Sequence, residues 1–411
     1  MMLLSFLAVS CRQDPIFFII ASETAPRKPR IEGAPTNMVV FKRDYPNPDP
    51  DSDQKTITVP IMYVASGRLH WYAKASGSNV PRWDQKEYEI NQPEGKIIYL
   101  AVTREYLYAL CLTGHGVDTA LRRIGRDGDN TAWETVASPT GSYPLIQSIY
   151  ADPDEPWLIA GTRNRNAVRY AIFYLDEADD TFKMLQANMT ATLSGAVCRD
   201  GAYYLCTRGN GIYKADETDL AAGAKELSDA TNNRTFMGII KLGDNSIIAV
   251  TRDGGTLFDV QDDSIARMNY NGTTDRISTG RYATGALALW ERIDSVSGET
   301  TQRLLIAGIQ GGLYSTSTSS YTNGYVEFDI NLADGSFNTR SRRHDSGSLQ
   351  SLIDGNQDRY TATIGKHPLN YLFQVPKELD ENVTFFAATQ TAGLWSYRNL
   401  KDGGWQWNAE D

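Results

Sequence analysis

Histidine and cysteine are scarce in this chain of 411 residues, which contains only four of each. No HExxH pair, paired-cysteine motif or His-x-His spacing occurs, so the sequence predicts no metal centre. A G-x-S-x-G nucleophile turn, a P-loop and a G-x-G-x-x-G loop are also missing. The sequence therefore offers no recognisable catalytic motif, and we expect no catalytic residue and no cofactor.

Positive charge and long apolar runs are also in short supply. The chain has 40 Lys plus Arg against 50 Asp plus Glu, a net charge of −10. Phosphate binding needs a basic surface, so this balance disfavours nucleic acid as a partner. No stretch approaches the ~20 apolar residues that cross a bilayer. Any attachment to a membrane must then come from a lipid.

The N-terminus supplies a candidate for that lipid. Residues 1–11 read MMLLSFLAVSC, in which a short apolar run and small residues precede Cys11. This pattern is typical of the end of a lipoprotein signal and predicts lipidation of Cys11. Residues 12–35 contain four prolines and mixed charge, which predicts an extended tether between the lipid and the rest of the chain.

The remaining cysteines are Cys111, Cys198 and Cys206. If Asp200 and Gly201 form a two-residue hairpin turn, Cys198 faces Tyr203 across the hairpin and not Cys206. A disulfide is therefore not implied, and we expect buried free thiols that pack as small apolar residues.

A repeat fills the chain after the tether. Each copy has an apolar strand, a turn rich in Gly, Asn or Arg, and a second strand. The seven turn positions lie 44 to 58 residues apart, except for a final interval of 80, and they are Ser66, Thr113, Thr162, Thr207, Thr251, Ile309 and Thr389. A repeat of roughly forty to fifty residues that contains only strands predicts a β-propeller. A single four-stranded sheet cannot bury both of its faces, whereas blades stacked in a ring bury them against each other.

We therefore predict an all-β, seven-bladed propeller of four-stranded antiparallel blades over residues 36–411. In the third repeat the strands are expected at 145–150, 157–162, 169–176 and 181–187. Innermost strands crowd the axis, and small residues are found at their expected positions, which are Ser148, Gly195, Gly238, Gly285 and Ser351. In the last blade, residues 348–354 are the expected innermost strand and 355–382 an insertion after it.

One turn resembles the Asp-box of sialidases and other propellers. Residues 126–133 read RDGDNTAW and lie between the expected third and fourth strands of the second repeat. The Asp-box is a structural turn closed by aspartate hydrogen bonds, so this likeness favours the fold and not an activity.

Arginine follows threonine in three consecutive repeats, at Arg163, Arg208 and Arg252. In a propeller these turns share one face, where three guanidinium groups could hold a carboxylate or an acidic loop. The alternative is that the arginine recurs because the turn recurs and bonds only local carbonyls.

The segment from Cys11 to Phe41, with DPIFF at 14–18, APRKPR at 25–30 and GAPTNM at 33–38, resembles spirochaetal (Treponema-type) lipoproteins. The resemblance implies a lipid-anchored propeller in the periplasm or outer membrane and no catalytic residue. We expect a monomer that acts as a non-enzymatic scaffold for a protein or peptide. The alternatives are a carbohydrate-active enzyme, sialidase-like or a lyase, or a surface adhesin.

Overall fold

The computed structural model of the chain describes residue 31 and residues 33–49, 51–114, 118–227, 234–243, 246–293, 297–310, 323–346, 357–382, 384–400 and 404–410. Helix in these ranges is limited to the short 3₁₀ segments Lys86–Tyr88, Glu217–Ala222 and Thr363–Lys366. No helix in this part of the chain is long and apolar enough to cross a membrane. Cys11, the predicted signal remnant and most of the tether lie outside the described residues.

The strands form seven sheets, each a meander in which neighbours along the chain are neighbours in the sheet. The first four sheets contain β1 (Met38–Pro46), β2 (Thr56–Ala65), β3 (Leu69–Lys74) and β4 (Pro81–Trp83); β5 (Lys96–Val102), β6 (Tyr106–Thr113), β7 (Asp118–Gly125) and β8 (Glu134–Val136); β9 (Leu145–Ala151), β10 (Trp157–Arg163), β11 (Tyr170–Asp176) and β12 (Thr181–Met189); and β13 (Leu193–Arg199), β14 (Ala202–Thr207), β15 (Ile212–Asp216) and β16 (Lys225–Glu226).

The last three sheets follow the same plan, and the sixth adds a fifth strand that runs parallel to its neighbour. They contain β17 (Phe236–Leu242), β18 (Ser246–Thr251), β19 (Leu257–Val260) and β20 (Ile265–Arg267); β21 (Tyr282–Ile293), β22 (Thr300–Gln310), β23 (Gly324–Ile330), β24 (Phe337–Asp345) and β25 (Gln357–Thr361); and β26 (Leu369–Gln374), β27 (Phe385–Thr389), β28 (Leu394–Leu400) and β29 (Gly404–Ala409).

Consecutive sheets pack face to face through separate hydrophobic clusters. On β10, Leu158 and Ala160 pack toward the second sheet, whereas Ile159 packs toward the fourth. Successive side chains of a strand point to opposite faces, so one strand serves two interfaces. Equivalent clusters join every neighbouring pair of sheets from the first to the seventh. A further cluster joins the seventh sheet to the first, so the ring is closed. The fold is a seven-bladed β-propeller, as predicted.

The closing contact uses side chains and not an exchanged strand. Phe386 and Leu394 of the seventh sheet pack against Met38 and Val64 of the first. Beside them, the indole of Trp83 donates a 2.7 Å hydrogen bond to the buried carboxylate of Glu410. All four strands of the seventh sheet come from the end of the chain. The ring is therefore held at this point by packing and buried hydrogen bonds.

The innermost strands are β1, β5, β9, β13, β17, β21 and β26. Four of the predicted small residues lie on them as expected, whereas Ser351 lies outside the described residues. A Cβ on Gly238 would collide with the carbonyl oxygen of Gly285 on the next innermost strand. Glycine is required there because two backbones approach each other directly.

The last blade differs from the prediction. Its innermost strand is β26, which lies inside the interval 355–382 that was predicted as an insertion. Residues 348–354 lie outside the described residues. The pattern of 348–354 matched other innermost strands, but the packing of β26 against β21 and β27 decides the assignment. The C-terminal end of the predicted tether is part of the propeller and not an extended linker. Ile31 is buried there, and its carbonyl oxygen accepts a hydrogen bond from the backbone N–H of Leu394.

Candidate functional site

The recurring threonine closes the turn between the second and third strands of its blade. In each case its hydroxyl donates to a backbone carbonyl across the turn. The pairs are Thr162 with Ala171 at 3.2 Å, Thr207 with Gly211 at 2.9 Å, Thr251 with Thr256 at 3.2 Å, and Thr389 with Gly393 at 2.8 Å. This role explains why threonine repeats, and it leaves the side chain of the following residue free to vary.

The residue after each of these threonines lies on one face of the ring. The backbone N–H of Arg208 donates to Thr192 O, and that of Arg252 donates to Thr235 O, both at 2.9 Å. Arg208 also forms a β-bridge with Thr235. The turns of the fourth and fifth blades are therefore joined through Thr235. We call the face that carries Arg163, Arg208 and Arg252 the arginine face.

The three predicted arginines share that face but differ in surroundings. Arg252 is exposed and its Nε pairs with the neighbouring Asp253 at 3.1 Å. Arg163 is half-buried, and its buried Nε has no hydrogen-bond partner among the described residues. Arg208 is exposed and lines the opening at the centre of the ring. Local bonding accounts for Arg252, whereas the common binding role of the three arginines stays a prediction.

An axial channel of about 1000 Å³ runs through the ring, lined by the innermost strands of all seven sheets. At the arginine face its mouth is formed by Arg208, Gln310 and Gln390. At the far end it contains Glu291 and Lys377. The glutamines occupy the same turn position as Arg208 in the sixth and seventh blades. Aligning the seven turns could have identified them, because the position is shared although the residue type is not.

The opposite face is tied together by acidic side chains. In the third, fourth and fifth blades, the turn between the third and fourth strands carries a carboxylate that accepts hydrogen bonds from the preceding blade. Glu177 accepts from Thr103 and Tyr108 at 2.5 and 2.8 Å, Glu217 accepts from Trp157 at 2.9 Å, and Asp262 accepts from Arg199 and Tyr204 at 2.8 and 2.9 Å. These carboxylates link the second to the fifth blade, a role that the sequence analysis missed.

The Asp-box-like turn is structural, as predicted. Asp127 Oδ1 accepts the backbone N–H of Asp129 at 3.0 Å inside the turn. The fully buried guanidinium of Arg43, from the first blade, donates to the carbonyls of Asp127 and Asn130. Gly128 lies against Asp44 and has no space for a Cβ. The turn therefore fixes the second blade to the first.

A tyrosine next to a glutamate is the nucleophile arrangement of a sialidase. Tyr108 and Glu177 form such a pair, but Tyr108 is fully buried between two blades and does not line the channel. Among the described residues no group of three or more His, Cys, Asp or Glu side chains could hold a metal ion.

The three described cysteines are buried and free, as expected, and Cys198 faces Tyr203 across its hairpin. Burial raises the pKa of Cys111 to about 11, and that of both Cys198 and Cys206 to about 12. These thiols are therefore protonated at neutral pH and poor nucleophiles.

Comparison with known proteins assigns the chain to no family. No protein-family profile and no curated protein matches the sequence. Among solved structures, the computationally designed Ika8 protein aligns with 90% of this chain and 98% of its own, at 9% identity and a TM-score of 0.44. Virginiamycin B lyase from Staphylococcus aureus aligns over 88% of this chain and 94% of its own, at 11% identity and a TM-score of 0.49. At these values neither alignment assigns an activity or a ligand.

Proposed function

We propose that this protein is a lipid-anchored component of the cell envelope whose propeller binds an acidic protein segment without catalysis. The observation that carries the proposal is the arginine face, where Arg163, Arg208 and Arg252 lie on three consecutive blades. Guanidinium groups suit carboxylates because they present paired donors in a fixed plane.

The rest of the ring supports a binding role. Loops on a rigid scaffold hold contact residues in fixed positions. Inter-blade bonds such as Arg199 to Asp262 and Trp83 to Glu410 keep the blades in register. On the opposite face the carboxylates of Glu177 and Asp262 are bonded to the preceding blade, so they stabilise the ring there.

The test is capture of envelope proteins by immobilised wild-type protein and by two triple variants. In the first variant Arg163, Arg208 and Arg252 are replaced by alanine. The control replaces three exposed cations on outermost strands, Arg82, Lys225 and Arg267, and removes the same net charge.

We expect a partner that the wild type and the control retain, that the first variant loses, and that elutes as salt rises, because exposed charges are screened. Equal recovery by the two triple variants would exclude the arginine face as the binding surface.

The carbohydrate-active alternative requires paired carboxylates and several arginines around the channel. Of the residues described there, Glu291 is the carboxylate and Arg208 the arginine, and they lie at opposite ends. Glu291 Oε1 is also bonded to Arg303 Nε at 2.7 Å. Cleavage of a glycan by the purified protein, lost in Arg208→Ala, would overturn the non-enzymatic proposal.

A further inference from the structure

Two of the acidic turns on the face opposite to the arginine face are fully matched by donors from the preceding blade. Two hydroxyls bond Glu177 at the boundary between the second and third blades. A guanidinium group and a hydroxyl bond Asp262 at the boundary between the fourth and fifth blades. The donors are Thr103 and Tyr108 in the second blade, and Arg199 and Tyr204 in the fourth.

The third blade has no such donors at the same two positions. In the second and fourth blades the tyrosine pairs with an innermost-strand residue that lies two positions before the other donor. By the same register, Ile159 pairs with Tyr150, which lies two positions before Asp152. An apolar side chain and a carboxylate therefore replace the two donors. The turn carboxylate at this boundary, Glu217 of the fourth blade, accepts instead from the indole of Trp157.

Three carboxylates meet at this boundary, and we call Asp152, Glu155 and Glu217 the carboxylate cluster. Glu155 and Glu217 share a hydrogen bond, and Asp152 lies near them. Burial, followed by the charge of Glu217, raises the pKa of Glu155 above its ordinary value. No lysine or arginine in the described part of the chain forms an ion pair with the cluster. The nearby Arg104 donates its Nε to the backbone carbonyl of Asp154, at 3.0 Å.

A buried hydroxyl adjoins the carboxylate cluster. Tyr203 is 1% exposed and packs between the third and fourth blades. Its hydroxyl has no hydrogen-bond partner among the described residues. Burial raises the pKa of this hydroxyl, and the Cys198 thiol and the three carboxylates raise it further, which places it beside the cluster. An unbonded buried hydroxyl is unfavourable, so a ligand that bonds it removes that penalty.

The carboxylate cluster is accessible from the face opposite to the arginine face. Its three side chains are half-buried, and Pro153, in the same turn as Asp152, lines the axial channel. Asp154 and Asp219 lie exposed on the same two turns, and neither forms an ion pair with a described residue. The negative charge of the cluster therefore continues onto the surrounding surface.

The geometry of the cluster favours an organic cation. The described residues contain no group of three acidic side chains that could hold a metal ion. The hydrogen bond between Glu155 and Glu217 also brings them closer than the separation of about 5 Å or more that glycosidic cleavage requires. A guanidinium group, in contrast, presents paired donors in one plane and can bond two neighbouring carboxylates.

We propose that the carboxylate cluster binds an arginine side chain of a basic protein segment. The guanidinium group pairs with Glu155 and Glu217, and it supplies the positive charge that Arg199 supplies at the next boundary. The exposed carboxylates beside the cluster attract further cations of the same segment. This surface lies on the face opposite to the arginine face, so the proposal does not depend on the proposed function.

Fluorescence anisotropy of the full chain with a dye-labelled peptide of alternating glycine and arginine tests the proposal. A peptide with glutamine in place of arginine has the same length without the charge. The arginine peptide should bind at least about tenfold more tightly, because charge-assisted bonds form only with it. Its affinity should fall as salt rises. Equal binding of the two peptides would overturn the proposal.

Two double variants test the location of the site. Glu155→Gln with Glu217→Gln removes two charges but keeps an acceptor for Trp157, and it should weaken the arginine peptide by about tenfold. The control is Asp51→Asn with Asp53→Asn, which removes the same charge from exposed positions on the same face of the first blade. Its affinity should stay within about twofold of the wild type. An equal loss in both variants would mean that the peptide responds to overall charge and not to the cluster.

A third variant supplies the cation from within the chain. Asp152→Arg places an arginine at the position that Arg199 occupies in the next blade. It should raise the thermal unfolding temperature above that of the wild type and abolish binding of the arginine peptide. A folded Asp152→Arg variant that binds the peptide like the wild type would overturn the proposal.

Tyr203→Phe tests the buried hydroxyl. It should weaken the arginine peptide without lowering the unfolding temperature of the free protein, because the hydroxyl has no partner to lose. A lower unfolding temperature together with unchanged peptide affinity would show that the hydroxyl serves the fold and not the ligand.

Failure of this proposal is distinguishable from failure of the proposed function. The triple alanine variant of the arginine face should bind the arginine peptide like the wild type. Conversely, the variant with Glu155→Gln and Glu217→Gln should retain the acidic envelope partner.

Discussion

Glu177 of the third blade accepts a 2.8 Å hydrogen bond from the buried hydroxyl of Tyr108 in the second blade. The same oxygen accepts from Thr103 at 2.5 Å. One carboxylate therefore satisfies two hydroxyls of a different sheet, beside the apolar cluster that joins the second and third blades. Specific polar contacts of this kind fix the register of two sheets that hydrophobic packing alone would hold less precisely in place.

Replacement of Glu177 by alanine should lower the free energy of unfolding by about 1–3 kcal/mol, because the Tyr108 hydroxyl would stay buried without its acceptor. Urea unfolding followed by tryptophan fluorescence measures this change. The control is Glu105→Ala, an exposed carboxylate nearby, for which we expect a change within about 0.5 kcal/mol. Equal effects of the two variants would contradict the role given to Glu177.

The same carboxylate predicts a pH dependence of stability. Burial raises the pKa of Glu177 above its ordinary value of 4.5, despite the opposing hydrogen bonds from Thr103 and Tyr108. The folded state therefore binds this proton more tightly than the unfolded chain. Protonation of Glu177 therefore stabilises the folded state. This contribution is complete below pH 4.5 and is lost as the pH rises through the raised pKa.

Glu177→Gln keeps an acceptor for both hydroxyls but does not titrate. The unfolding free energy of Glu177→Gln minus that of the wild type should therefore increase as the pH rises from 4.5 through the raised pKa, and level off above it. Denaturation curves between pH 4 and pH 8 measure the difference. A constant difference between the two proteins over this range would show that Glu177 does not titrate with a raised pKa.

The contact between the fifth and sixth blades depends on glycine. Because a Cβ on Gly238 would overlap Gly285 O, Gly238→Ala should destabilise the protein by about 1–3 kcal/mol through overpacking. Thermal unfolding provides the measurement. In Gly125→Ala, the control on β7, the new Cβ meets only Tyr106 at an ordinary contact distance, and stability should not fall. Unchanged stability of Gly238→Ala would mean that the two strands separate at little cost.

Membrane attachment is predicted to depend on Cys11 alone. Cys11→Ala removes the thiol that would carry the lipid, so the protein should move from the membrane fraction to the soluble fraction after cell breakage. Cys111→Ala is the control, since Cys111 is buried in the propeller. Membrane association that persists in Cys11→Ala would show that another feature anchors the protein.

Much of the fold follows from local patterns in the sequence. The strands of the third blade were predicted within two residues of their observed ends, because alternating apolar residues and turn residues are local signals. The facing pair of Cys198 and Tyr203 followed from a two-residue turn in the same way. Small residues on the innermost strands were also visible, because crowding at the axis restricts side-chain size.

In the last blade, local sequence patterns were not sufficient to assign the innermost strand. Residues 348–354 and β26 both have the pattern of an innermost strand, and pattern alone does not choose between them. Likewise, nothing near Glu177 in the sequence indicates Thr103 or Tyr108 as its partners, since about seventy positions separate them. Such contacts are set by the stacking of whole blades.

The sequence by itself determined the repeat, the all-β class, the number of blades and the turns that carry Arg163, Arg208 and Arg252. Only the tertiary structure decided which of these arginines reaches the axis and that Gln310 and Gln390 share the mouth with Arg208. It also decided that acidic turns join neighbouring blades on the far face. The reason is physical: strand formation depends on residues close in the chain, whereas the channel exists only once seven separate segments have packed into a ring.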